Sequence, residues 1–66
     1  MSEEFRDIAK LALPYSREAT VREVTFDADM KMIRLILREG RRITQVDLDD
    51  DSARALAAAL TKATEG

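Results

Sequence analysis

The chain contains no cysteine, no histidine and no tryptophan, and only one proline and two glycines. Without cysteine, neither a disulfide framework nor a thiolate metal site can form. Without histidine as well, zinc ligation by nitrogen and sulfur is excluded. The commonest proton-transfer and nucleophile pairings also lose their central member. No apolar run approaches the ~18 residues of a membrane span. The opening residues Met-Ser-Glu-Glu-Phe are acidic where a secretory leader is basic, so a cytoplasmic protein is expected. Neither charge sign dominates: eleven basic residues stand against thirteen acidic ones, a net of −2, which gives no overall pull toward nucleic acid or anionic lipid. Residues 1–66 make one small domain. A core of that size supplies a margin of about 3–5 kcal/mol, and such chains commonly gain further burial by self-association.

What the sequence does contain is a hairpin signal. Met30 to Leu48 is two β-branched, alternating runs split by Glu39-Gly40, and glycine accepts the positive φ of a tight hairpin turn. Before it, Thr20 to Asp27 alternates as a strand, and Asp27-Ala28-Asp29 has turn chemistry. Ser2 to Leu13 has helical spacing at Phe5, Ile8, Ala9 and Ala12, with Ser2 as N-cap and Pro14 as terminator. At the other end Asp49 is the N-cap of a second helix, from Asp50 to about Ala63, whose stripe is Leu56, Ala57, Leu60 and Ala63. The expected fold is α+β, in the order α-β-β-β-α: a three-stranded antiparallel meander with both helices on one face.

Pairing the strands through a Glu39-Gly40 turn sets Ile36 opposite Ile43 and puts Ile33, Leu35, Leu37, Val46 and Leu48 on the core face. A turn centred on Ala28-Asp29 sets Val24 opposite Ile33, Glu23 opposite Arg34 and Val21 opposite Ile36. Val21, Met32, Ile36 and Ile43 then form an uncovered apolar row on the other face, an expected homodimer contact. The strand edges Thr20–Asp27 and Arg42–Leu48 are the rival route to association. Another protein partner is left open.

Three other features compete for a function. Lys31, Arg34, Arg38, Arg41 and Arg42 meet only Glu39 in acid across the hairpin, and Arg34, Arg38 and Arg41 could track phosphates. That makes weak single-stranded nucleic-acid binding the alternative function, although the sheet face lacks the aromatic platforms such binders use. Asp47, Asp49, Asp50 and Asp51 suggest a calcium loop, but Ser52 and Ala58 stand where that loop needs glycine and glutamate. Helix capping accounts for them. Ser16, Ser52 and Tyr15 sit in no catalytic pairing, so no enzyme, no cofactor and no metal are expected.

Pro14-Tyr15-Ser16-Arg17, the run from Met32 to Arg42 ending Arg-Glu-Gly-Arg-Arg, and Val46-Asp47-Leu48-Asp49 before an alanine-rich helix together resemble a family of small uncharacterised proteobacterial proteins. The likeness spans roughly residues 14–60 and its motifs are structural. It implies a bacterial α+β domain of unknown function and carries over no site residues. At fold level alone, a strand running into a capped helix behind a curved sheet is similar to the transcriptional-coactivator type of single-strand DNA binder. That family has a longer sheet and aromatic contacts missing here. The expectation is therefore a cytoplasmic, homodimeric, non-enzymatic interaction or structural module.

Overall fold

A computed structural model describes residues 3–27 and 30–66. It contains four strands, β1 (Glu4–Leu13), β2 (Arg17–Thr25), β3 (Lys31–Glu39) and β4 (Arg42–Leu48), followed by one helix, α1 (Asp50–Thr64). The strands form a single antiparallel sheet in the order β1-β2-β3-β4. The expected three-stranded meander under two helices is thus corrected to four strands and one helix, because residues 4–13 form a strand. The expected cap Ser2 lies outside the described residues.

A β-bulge explains why that strand carries helical spacing. Phe5 pairs with Val24 and Asp7 with Arg22, but the register then shifts at Ile8, and Ala9 pairs with Val21. One inserted residue moves all later side chains to the opposite face. Phe5 and Asp7 therefore lie on one side of the sheet, and Ala9, Leu11 and Leu13 on the other. Two period-two segments out of phase mimic a 3.6-residue period. Backbone pairing along the whole of β2 then outweighs the modest helix preference of the segment.

The β1–β2 connection is the three-residue turn Pro14-Tyr15-Ser16, in which Tyr15 (φ 63°) and Ser16 (φ 57°) both adopt left-handed backbone. For residues carrying a Cβ this costs about 1–2 kcal/mol each. Ser16→Gly removes that strain at the expense of chain entropy. We expect a net gain of about 0.5–1 kcal/mol, read as a higher urea midpoint at unchanged slope. A lower midpoint would contradict the strain assignment.

The β2–β3 connection decides which side chains share a face. Thr25 pairs with Lys31, and inside them the Phe26 N–H donates to the Met30 carbonyl at 2.8 Å. The Met30 N–H donates in turn to Asp27 at 3.2 Å. This loop holds an odd number of residues where an even one was expected; its centre, Ala28-Asp29, lies outside the described residues. The result is a one-residue slip. Val21 faces Leu35, Thr20 faces Ile36, Arg22 faces Arg34 and Glu23 faces Ile33. The expected pairs Glu23–Arg34 and Val21–Ile36 do not form.

The β3–β4 hairpin turns at Gly40-Arg41 rather than Glu39-Gly40, pairing Glu39 with Arg42 and Ile36 with Gln45. Gly40 takes φ 61° at the first central position, where the tight turn of this kind needs glycine. The slip here is two residues, which preserves the period-two facing. Ile33, Leu35, Leu37, Val46 and Leu48 therefore share one side, as expected, though with different partners.

The helix begins as expected. The Asp49 side chain accepts from the Ser52 N–H at 2.8 Å, with Asp50 and Asp51 in the first turn. The bonds to Ser52 hold the Asp49 carboxyl below the usual carboxylate range. The helix packs against β3 and β4, and its Leu56 and Leu60 come over Val21 of β2 only across an open cleft. Among the described residues only Ala19 and Val24 are buried apolar side chains, and none lies in the helix.

Candidate functional site

The helix face of the sheet is apolar across all four strands. One row runs Ala9, Val21, Leu35, Val46, and the next runs Leu11, Ala19, Leu37. The helix roofs the sheet from the β4 side as far as Val21 on β2. Between helix and sheet is an open cleft of about 180 Å³, walled by Val21, Ile33, Leu35, Leu48, Leu56 and Leu60, with no polar side chain in its lining. Leu11 is 51% exposed, Val46 46% and Leu60 60%, although all three belong to the face that should be the core.

Ion pairs close both ends of this band. At one end Glu23 accepts from Arg6 at 3.1 Å and lies 3.8 Å from Lys31, which is also 3.7 Å from Asp50. At the other, Arg17 meets Glu39 at 2.8 Å. A contiguous apolar surface with a polar rim is the pattern of an interaction site.

The opposite, outer face is built differently. Asp7, Arg22, Arg34 and Asp47 form one row across the four strands. Two arginines directly opposite each other repel, and each is neutralised by its other neighbour. Arg34 donates twice to Asp47, at 2.8 and 3.1 Å, and Arg22 donates to both oxygens of Asp7. These hydrogen bonds hold the Asp7 and Asp47 carboxyls below the usual carboxylate range and push both guanidinium groups further up.

Phe5 adds a lid to this row. Its ring centroid lies 5.7 Å from the Arg22 guanidinium and 6.0 Å from that of Arg34. Phe5 belongs to β1 and Arg34 to β3, whose axes are about 10 Å apart, so the ring must lie across β2. Beneath it is Val24, flanked by Phe5 and Met32 and 0% exposed.

The slip in the β2–β3 register separates the expected interface residues. Val21 lies in the helix cleft, while Met32, Ile36 and Ile43 stay on the outer face. There Ile36 sits between Thr20 and Gln45, and Ile43 opposite Arg38, so no continuous apolar row forms. Thr20–Asp27, expected to be an edge, is interior because β1 covers it. The three expected phosphate contacts are likewise dispersed: Arg34 is bound to Asp47, Arg38 donates to the Gly40 carbonyl at 3.2 Å, and Arg41 is a turn residue. The aromatic expected to be absent from the sheet is present, since Phe5 is part of β1.

Leu11 and Leu13 are the surface residues that sequence reasoning missed. Their signal was the alternation Ala9-x-Leu11-x-Leu13 ahead of Pro14, hidden by the bulge. Among the described residues no group of three acidic, histidine or cysteine side chains could hold a metal ion, and no helix is long and apolar enough to cross a membrane.

No curated protein and no solved structure matches the chain. A family model, described as a family of unknown function (DUF6967), matches residues 2–66. The match spans nearly the whole chain, and the protein belongs to that family.

Proposed function

We propose that this protein is a non-enzymatic, self-associating module whose working form is a homodimer in a bacterial cytoplasm. The observation that carries the reading is surplus surface. The chain exposes 5443 Å², against about 4,200 Å² for a folded monomer of 7.4 kDa, an excess of roughly 1,200 Å². Its radius of gyration, 13.3 Å, likewise exceeds the ~11 Å of a compact chain this long. Two copies each hiding that excess would bury about 2,400 Å² together, within the range of obligate homodimers.

Catalysis has less support. The apolar cleft holds no titratable group. Ser16 is held in a turn, Ser52 lies in the first turn of the helix with its N–H donated to the Asp49 cap, and Tyr15 is exposed to solvent. Nucleic-acid binding has less support too, since Arg22 and Arg34 on the outer face are matched by carboxylates and Arg38 donates to a backbone carbonyl. The cytoplasmic setting is supported by the cysteine-free composition.

Sedimentation equilibrium between about 10 and 100 μM, the range in which modest dimers populate, is expected to give twice the 7.4 kDa chain mass. A single-chain mass throughout would overturn the proposal.

A further inference from the structure

We infer that each C-terminal helix is shared: its inner side packs on its own sheet from the β4 side, and its outer side covers the exposed β1 side of a second copy's sheet. This rests on the self-association reading and adds the surface, the element and the geometry.

The first argument is width. Four strands about 4.8 Å apart make a sheet roughly 19 Å across, whereas a helix with its side chains is about 10–12 Å wide. Such a face takes two helices side by side, and this chain supplies one, placed to one side. What stays bare is the β1 side of this face, where Leu11 is exposed and Leu13 half-buried, next to the small buried Ala19 and beyond the Val21 edge of the cleft.

The second argument is the helix itself. From Ala53 to Leu60 its only polar residue is Arg54. At about 100° per residue, Leu56, Ala57 and Leu60 point to their own sheet. Ala55 and Ala58 then point directly away from it. A surface helix carries charge on its outer side, and one apolar all round is normally buried. Here the middle of the outer side is alanine, with Asp51 and Lys62 only at its ends. Alanines let a helix approach a leucine-bearing sheet closely. All of this helix except Ala53 is nevertheless exposed in the single chain, and a 15-residue helix without burial is marginal in water.

The third argument is closure. If helix face meets helix face about a two-fold axis, each helix lies between the two sheets. The same contact is then made twice and no apolar strip remains.

The absence of cysteine gives a direct test. Leu11→Cys and Ala58→Cys are made as separate chains, mixed and oxidised, so that any bridge joins two molecules. The mixture is expected to form the mixed disulfide at least several-fold faster than a mixture of Ala58→Cys with Ile36→Cys, whose cysteine lies on the outer face. In parallel, Ala58→Arg, which leaves the single-chain fold and helix propensity almost untouched, is expected to sediment as one chain, as is Leu11→Glu, while Ile36→Glu stays dimeric. A wild type that is itself monomeric would overturn the self-association reading. A dimeric wild type dissociated by Ile36→Glu but not by Ala58→Arg would leave that reading standing and overturn the shared helix. So would preferential bridging to Ile36→Cys.

Discussion

Diluting the protein a thousandfold, from about 100 μM to 0.1 μM, is expected to lower its thermal midpoint by about 10–15 °C. The size follows from mass action: a thousandfold dilution removes about 4.1 kcal/mol per mole of dimer. For some 130 ordered residues each kcal/mol moves the midpoint by about 3–4 °C. The direction follows from the structure, which leaves a single chain with two buried apolar side chains among those described and a helix with none. Circular dichroism at two path lengths makes the measurement. A midpoint independent of concentration would mean that the surplus surface stays in water, and that a chain with almost no core is stable by itself.

Val24→Ala is expected to be the most damaging conservative substitution on the outer face, costing about 1.5–3 kcal/mol. That is a large share of the roughly 3–5 kcal/mol that a domain this small commands. Ile43→Ala, on the same face but 57% exposed, should cost no more than about 0.5 kcal/mol. The contrast depends on Phe5 lying across β2 over Val24, beside the two guanidinium groups. Urea denaturation of both variants tests it, and equal losses would show that Val24 has no such cover.

Much of the local structure was legible. Asp49, the two acidic residues after it and the alanine run placed the C-terminal helix correctly, because capping and helix propensity act within one turn. Alternation in Met32–Leu37 and Ile43–Leu48 assigned both strands to the correct side, because a slip of two residues in the Gly40 turn leaves facing unchanged. The errors lie where one inserted residue reverses everything after it. A single residue at Ile8 made a strand look like a helix, and one residue in the connection near Asp27 moved Val21 from the outer face to the helix face.

Composition and local patterning, by themselves, determined that this is a small α+β fold with a basic-turn hairpin, a capped helix and no cysteine or histidine for metal or thiol chemistry. Only the tertiary structure decided that the N-terminal segment completes the sheet, that Arg22 and Arg34 are spent on aspartates, and that the bare apolar surface lies beside the helix rather than behind it. The physical reason is that capping and propensity are short-range, whereas facing in a sheet is set by register. Register is summed across strands, so one bulge or one loop residue inverts which side chains meet.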